Sequence, residues 1–208
     1  MKPKSVNNTD KPSELVSEQV ALPDYFQSLL GEESLPNAGT DTRPGAPFAC
    51  LTFAVRALRL AIPCSDASGV ITDPVFLQQV ARHWRGSVAA DRSWWLGSFH
   101  YQDGEILVAD ISTLLIPPDM RADLAEATAA PVAVVLVNDG HMGIVCDQNP
   151  VTTTIRPEDV CWSAVDSTRP WLSGVVSKSY ALLATPKVCS LLAASPAGRL
   201  VSNERPES

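Results

Sequence analysis

The segment Ser93–Ile111, SWWLGSFHYQDGEILVADI, constrains the fold of this chain more than any other part of it. Two runs rich in aromatic and β-branched residues flank Asp103-Gly104, a dipeptide that two-residue type I′ turns favour because both of their central positions need a positive φ. The segment therefore predicts a β-hairpin that closes at Asp103-Gly104.

This turn position also predicts which side chains share a face of the hairpin, since side chains alternate along a strand. The expected pairs on one face are Tyr101 with Ile106, Phe99 with Val108 and Gly97 with Asp110, and those on the other are His100 with Leu107, Ser98 with Ala109 and Leu96 with Ile111. Both faces are largely apolar, so we expect both to be covered by other parts of the fold. A hairpin buried on both sides predicts the centre of an all-β domain.

Short apolar segments separated by turn residues recur after residue 47. The other predicted strands are Phe48–Val55, Leu58–Pro63, Gly69–Ile71, Pro131–Val137, Met142–Cys146, Val151–Ile155, Trp171–Val176 and Ser179–Leu183. Roughly nine or ten short strands at spacings of about 8–12 residues are typical of a barrel or a sandwich. The predicted fold class is all-β.

Two helices interrupt these strands. Asp73-Pro74 and Thr185-Pro186 each place an N-cap residue before a proline that suits the first helical position. Apolar residues follow the first pair at intervals of four, at Phe76, Val80 and Trp84. A single apolar stripe follows the second pair, which predicts a short C-terminal helix.

The ends of the chain have a different composition. Residues 1–47 are rich in Pro, Ser, Asn and Glu and predict a disordered region, because such a segment buries too little apolar surface to offset its ordering entropy. Within it, apolar and aromatic residues at helical spacing predict a possible docking helix over residues 22–30, formed by Leu22, Tyr25, Phe26, Leu29 and Leu30. A nascent helix without a partner is the alternative. Residues 48–194 are the predicted domain, and residues 195–208 a flexible tail.

Charge and cysteine content exclude several classes of partner. The net charge is −7 and the basic residues do not cluster, which argues against nucleic-acid binding and against a polybasic membrane patch. No apolar run approaches the roughly 20 residues that span a bilayer. The five cysteines are widely spaced without a C-x-x-C pair, as expected of buried thiols in a cytoplasmic protein.

Motifs that carry chemistry are missing from the sequence. It contains no G-x-G-x-x-G or G-x-x-x-x-G-K-[ST] nucleotide-binding loop and no G-x-S-x-G nucleophile elbow. His83, His100 and His141 fall in three different predicted elements, so we predict neither a metal site nor a cofactor. A hydrolase that uses Ser98 or His100 with Asp110 is a rival reading, but the predicted hairpin places Asp110 on the opposite face. We therefore expect a protein that is not an enzyme.

In their order and spacing, these segments resemble the CheW-like domain of bacterial chemotaxis adaptors. The matching segments are Leu51–Ile71, Trp94-Trp95-Leu96-Gly97 through Asp110-Ile111, Gly143–Asp147, Pro170–Gly174 and Leu182-Leu183. Each motif alone is short, and the resemblance spans Phe48 to Leu192, essentially the whole predicted domain.

The resemblance implies two intertwined five-stranded SH3-like barrels with a short C-terminal helix and no active site. It also implies a coupling role, in which the domain binds the regulatory domain of a CheA-type histidine kinase and the tips of chemoreceptors in a cytoplasmic, membrane-proximal array. The partner-binding residues expected on this basis lie around the hairpin turn: Gly97, His100, Tyr101, Gln102 and Asp103. Packing alone is the alternative for Gly97 and Tyr101.

This sequence departs from the family's pattern at that turn. Gln102-Asp103-Gly104 stands where an Arg-Gly pair is usual, and Leu107 takes the place of a proline. Because the arginine is a typical receptor-contacting residue, standard receptor coupling is in question. The departures and the long N-terminal region resemble accessory array proteins such as ParP. The alternative function is therefore an accessory or polar-localisation protein whose N-terminal helix binds a polar landmark protein.

Overall fold

The computed structural model describes residues 44–56, 58–87, 94–116, 130–163, 169–177 and 179–194. Their strands are β1 (Phe48–Val55), β2 (Leu58–Pro63), β3 (Ala67–Ile71), β4 (Trp95–Tyr101), β5 (Gly104–Ala109), β6 (Ala133–Val137), β7 (Met142–Cys146), β8 (Val151–Ile155), β9 (Val160–Trp162), β10 (Leu172–Val176) and β11 (Tyr180–Leu183). Their helices are α1 (Pro74–Ser87), α2 (Ser112–Leu115) and α3 (Thr185–Ala193), with short 3₁₀ turns at Cys64–Asp66 and Pro157–Asp159. The predicted docking helix at residues 22–30 and the tail at residues 195–208 lie outside these ranges.

The strands form two mixed sheets. The six-stranded sheet has the order β8-β1-β2-β11-β10-β9 and the five-stranded sheet has the order β3-β6-β7-β5-β4. The first sheet joins the start of the domain to its end, because β2 pairs in parallel with β11. The two units are therefore intertwined, and the predicted all-β class with two β units and a short C-terminal helix is confirmed. The strand β9 makes one sheet six-stranded, and three residues are too few to show a strand period in the sequence.

The core lies between the two sheets and is shared by both. Its largest cluster combines β1 and β2 residues such as Phe53 and Leu60 with β6 and β7 residues such as Val135 and Ile144. A second cluster lies on the other side of the five-stranded sheet, where α1 packs through Phe76, Val80 and Trp84. The two sheets consequently cannot separate without exposing a common core.

The central hairpin is formed by β4 and β5, but its predicted register is wrong by two residues. Tyr101 pairs with Gly104 and Phe99 with Ile106, so the loop consists of Gln102 and Asp103 rather than Asp103 and Gly104. Gln102 has a φ of 53°, whereas Gly104 does not have a positive φ. A positive φ at the first loop residue alone is the pattern of a type II′ turn, not of the predicted type I′ turn.

The prediction that both faces of the hairpin are covered is also wrong. A shift of two residues preserves the alternation of side chains, so Phe99 still points to the core face. Ser98, His100 and Glu105 on the other face are exposed, since β4 lies at the edge of its sheet among the described strands. A bulge between Trp95 and Gly97 changes the alternation, and Leu96 joins the core cluster of Phe99 instead of the opposite face.

The two helices begin close to their predicted starts. Asp73 caps α1 as expected, because its Oδ1 accepts a hydrogen bond from the backbone N–H of Phe76 at 2.7 Å. The predicted cap of α3 is wrong by one residue: Ala184 is the N-cap and Thr185 is already helical. The side chain of Thr185 therefore does not cap the helix.

Candidate functional site

The β4–β5 hairpin is fixed at its base by a buried ion pair. Asp110, directly after β5, is 0% exposed, and Arg56, in the turn between β1 and β2, is 3% exposed. The Nε and one terminal nitrogen of Arg56 both lie 2.8 Å from Oδ2 of Asp110. Two nitrogens on one carboxylate oxygen hold the guanidinium in a defined orientation. The ion pair joins the six-stranded sheet to the end of the hairpin.

Helix α1 takes part in the same cluster through Trp84. The indole Nε1 of Trp84 donates to Oδ2 of Asp110 at 2.7 Å, and the carbonyl oxygen of Trp84 accepts from Arg56 at 3.3 Å. The guanidinium carbon of Arg56 also lies 4.9 Å from the centre of the Trp84 ring, within the range of a cation–π contact. One tryptophan thus binds both members of the ion pair.

The second oxygen of Asp110 is bound by the residues that follow it. Its Oδ1 accepts from the backbone N–H of Ser112 at 3.0 Å and from the Ser112 hydroxyl at 2.5 Å. The Thr113 hydroxyl donates to the Asp110 carbonyl oxygen at 3.0 Å, and the Asp110 N–H donates to the Trp94 carbonyl oxygen at 2.7 Å. These bonds begin helix α2 and offset the desolvation of the carboxylate.

Asp147, which follows β7, lies beside this cluster. Its N–H donates to the Ala54 carbonyl oxygen at 3.0 Å. Burial raises the pKa of the Asp147 carboxyl group, against the opposing effects of the backbone N–H and the charge of Arg56. Arg56 has a φ of 51°, a left-handed backbone conformation, directly after β1.

The outer end of the hairpin is held by aromatic packing. The Tyr101 ring is half-buried and meets the Phe76 ring edge-on at 5.1 Å and 71°. Phe99 contacts Phe76 at 6.0 Å and His83 at 5.2 Å, also edge-on. Such pairs add about 0.5–1.5 kcal/mol each beyond the area they bury. Tyr101, which precedes the turn, therefore packs β4 against α1.

The remaining predicted partner-binding residues divide into two kinds. His100, Gln102 and Asp103 are exposed at the tip, and His100 lies opposite Glu105 on the paired strand. Gly97 has a φ of 142° at the bulge, a conformation that side chains rarely adopt. The structure thus places three of the five residues on an exposed tip and gives Gly97 and Tyr101 conformational and packing functions.

The hydrolytic alternative lacks a suitable geometry. Ser98 and His100 point outward from the edge strand, whereas both oxygens of Asp110 bind Arg56, Trp84 and Ser112 in the interior. A triad needs the carboxylate to orient the histidine, and this carboxylate is engaged elsewhere. Within the described ranges, no three His, Cys, Asp or Glu side chains are grouped to hold a metal ion.

Sequence reasoning missed Arg56 and Trp84. A signal was present for both: Asp110 ends a strand among apolar residues, and a buried carboxylate requires a cation or several donors. Arg56 stands in a short turn between two apolar strands, and Trp84 ends the apolar stripe of α1. The sequence could not show that Arg56 contacts Asp110, since 54 residues separate the two.

No helix in the described part of the chain is long and apolar enough to cross a membrane.

Comparison with known proteins gives a structural likeness. The chain is similar to the scaffolding protein TtCheW from Thermoanaerobacter tengcongensis, with a TM-score of 0.46 and 10% sequence identity over 66% of this chain and 88% of that chain. No family model matches the sequence. No curated protein matches it either.

Proposed function

We propose that this chain is a non-enzymatic adaptor that acts in a cytoplasmic chemosensory array. In this proposal the tip of the β4–β5 hairpin binds the regulatory domain of a CheA-type histidine kinase, and chemoreceptor tips are further candidate partners. The order of the sequence motifs supports the proposal.

The observation that carries it is an exposed polar tip on a rigid base. His100, Gln102 and Asp103 project from a hairpin whose base is held by the Arg56–Asp110 ion pair. Binding through this tip orders little backbone, because the strands beneath it are already paired, so the entropy cost is limited to the side chains.

The outer edge of β4 offers a second type of contact. β4 is the last strand of its sheet among the described residues, and an edge strand leaves backbone N–H and carbonyl groups for an extended segment of a partner. The exposed Ser98 and His100 side chains lie on the outer face of this edge strand. In this proposal, main-chain pairing along β4 and the polar tip form one continuous interface.

Co-purification of the full chain with a CheA-type kinase from cells tests the proposal, with affinity for the isolated regulatory domain as the quantitative measurement. The double variant His100→Ala/Gln102→Ala should weaken that affinity by about tenfold, equivalent to about 1.4 kcal/mol. Gln148→Ala/Asn149→Ala is the control, because Gln148 and Asn149 are exposed polar residues in the turn between β7 and β8. Equal affinities for the two double variants would exclude the hairpin tip as the binding surface.

Receptor coupling is tested by Gln102→Arg. If the tip contacts receptors, the arginine that is usual at this turn in CheW-like domains should strengthen binding to a receptor-tip fragment and make that binding more sensitive to salt. An unchanged affinity would mean that this surface does not serve receptors in this protein.

The spacing of Leu22, Tyr25, Phe26, Leu29 and Leu30 supports the accessory-protein alternative. These residues lie outside the described ranges, and the docking helix stays a prediction. Deleting residues 1–47 separates the two functions, since an adaptor should keep its kinase affinity while an accessory localisation protein should lose its position in the cell. Normal localisation of the deletion variant would remove the support for a polar landmark partner.

A further inference from the structure

Among the described residues, four strands lie at the edges of the two sheets: β8 and β9 in the six-stranded sheet, and β3 and β4 in the five-stranded sheet. An edge strand offers its outward backbone N–H and carbonyl groups to another chain, and natural proteins usually blunt such edges with a bulge, a charge, a proline or a very short strand. β3 has a bulge between Ala67 and Gly69, and β4 has one between Trp95 and Gly97. β9 has only three residues.

β8 is the exception among these edges. Its five residues, Val151–Ile155, pair with β1 in an unbroken antiparallel register, and none of them is charged or a proline. The first four residues of the strand are all exposed, and Val151 is 58% exposed. In the described part of the chain, Val70 and Val75 are the other large apolar residues exposed to this degree. β8 therefore presents an intact pairing edge with an apolar side chain at one end.

The sequence of β8, VTTTI, is symmetric in chemical character about its centre, Thr153. In an antiparallel pair of two β8 strands centred on Thr153, this residue faces its own copy. Thr152 then faces Thr154. In the same register Val151 faces Ile155. Each pair joins two hydroxyl or two aliphatic side chains, and all are β-branched, a residue type that packs well across paired strands.

The charge of the chain also favours β8 as a contact between two copies. The full chain has a net charge of −7, so most approaches of one copy to another bring like charges together. The five residues of β8 carry no charge, so pairing two copies of the strand places no like charges opposite each other. The strand thus complements itself in shape, in side-chain chemistry and in charge.

We propose that β8 pairs with β8 of a second copy of this chain and joins their two six-stranded sheets across a two-fold axis. Such a contact is isologous, so it closes at two copies and does not propagate into a filament. Five residues on each side bury much less than the roughly 1,600 Å² of a standard interface, so the dimer is weak and reversible. The inference is independent of the proposed function, since it uses neither the hairpin tip nor the edge of β4.

Sedimentation velocity of the full chain tests the proposal, at concentrations from about 10 µM to about 1 mM because the interface is small. The weight-average sedimentation coefficient should rise with concentration toward the value of a dimer and no further. A coefficient that does not rise, or that rises beyond the value of a dimer, would overturn the proposal.

Thr153 allows a test of the register, because it is the position of β8 that faces itself across the axis. Thr153→Lys and Thr153→Glu each place two like charges opposite each other and should each raise the Kd of the dimer at least tenfold. An equal mixture of the two variants places opposite charges there and should associate at least tenfold more tightly than either variant alone. A mixture that associates no better than the separate variants would refute this register, even if both variants have lost the dimer.

The fold should tolerate both substitutions. Thr153 is exposed, and its hydroxyl oxygen lies 3.4 Å from that of Thr52, the long end of a hydrogen bond. Ser98→Lys is the matched control, since Ser98 is exposed on the edge strand β4 and the substitution adds the same charge to a different sheet edge. It should leave the Kd of the dimer unchanged. Equal weakening by Ser98→Lys and Thr153→Lys would show a general charge effect or a contact through β4, and either would refute pairing through β8.

The alternative occupant of the β8 edge is a segment from residues 1–43 of the same chain. In that case the full chain would stay monomeric over the whole concentration range, which is one of the results that overturn the proposal.

Discussion

Removal of one member of the Arg56–Asp110 ion pair is the most informative perturbation of this fold. Arg56→Met keeps an unbranched apolar side chain against the Trp84 ring but leaves the Asp110 carboxylate, which is 0% exposed, without its cation. Trp84 and Ser112 still donate to that carboxylate, so it retains part of its hydrogen bonding.

The size of the effect follows from burial. Breaking a buried ion pair on one side typically costs about 3–5 kcal/mol, whereas an exposed pair contributes about 0–1 kcal/mol. For a chain of this size, 1 kcal/mol corresponds to a change in melting temperature of about 2–4 °C. We therefore expect Arg56→Met to lower the melting temperature by about 6–20 °C.

Urea unfolding followed by tryptophan fluorescence measures this loss directly. Arg59→Met is the matched control, because Arg59 lies three residues away on β2 and is exposed. It should change the free energy of unfolding by less than about 0.5 kcal/mol. Added salt should not reduce the difference between the two variants, because a buried pair is weakly screened.

A second substitution in the same background tests the physical reason. Asp110→Asn should destabilise the natural sequence, because it removes the carboxylate that pairs with the buried Arg56 cation. In the Arg56→Met background it should cost at least about 1 kcal/mol less, because the ion pair is already lost, although the amide nitrogen of Asn then faces the donors of Trp84 or Ser112. If Arg56→Met and Arg59→Met differ by less than about 1 kcal/mol, or if Asp110→Asn has the same cost in both backgrounds, the argument is refuted.

Three further predictions concern packing, pH and thiol reactivity. Gly174→Ala should lower the free energy of unfolding in urea by about 1–3 kcal/mol, because the added Cβ would lie 2.7 Å from a backbone oxygen. Gly104→Ala has nothing within 4 Å of its Cβ and should change that free energy by no more than about 0.5 kcal/mol. A similar loss in both variants would contradict this. Asp147→Asn should raise the melting temperature at pH 7 and have little effect at pH 3. Burial raises the folded-state pKa of this carboxyl group, so its ionisation lowers stability as the pH rises through that pKa. A difference in melting temperature that stays constant across pH would contradict this. At pH 8 a thiol reagent should label the exposed Cys161 at least a hundredfold faster than Cys50, because burial raises the pKa of the Cys50 thiol to about 12. Mass spectrometry of the labelled peptides measures both rates, and equal rates would contradict this.

Local sequence signals predicted individual elements well where the determining interaction is itself local. The alternation of apolar residues gave the bounds of β1 and β2, apolar or β-branched runs between turn residues gave those of β7 and β8, and Asp73-Pro74 gave the start of α1. These elements depend on the local strand sequence and on a cap three residues away, both of which are visible in a short window.

The hairpin shows where local signals fail. Asp103-Gly104 favours a type I′ turn, yet the chain closes one residue earlier, with Gln102 in a positive-φ conformation. The bulge between Trp95 and Gly97 and the parallel pairing of β5 with β7 are compatible with this register. A preference for one turn type amounts to little beside the pairing and burial of several core side chains, so tertiary packing decided the register.

The sequence by itself determined the all-β class, the position of most strands, and the presence of a hairpin with polar residues near its tip, because each of these depends on composition and period within a few residues. Only the tertiary structure decided that one hairpin face is open, that Arg56, Trp84 and Asp110 meet, and that β8 lies at the edge of its sheet. The physical reason is the same in each case. Contacts between residues far apart in the chain are fixed by how the two sheets pack, and alternation along a strand records whether a face is apolar but not what lies against it.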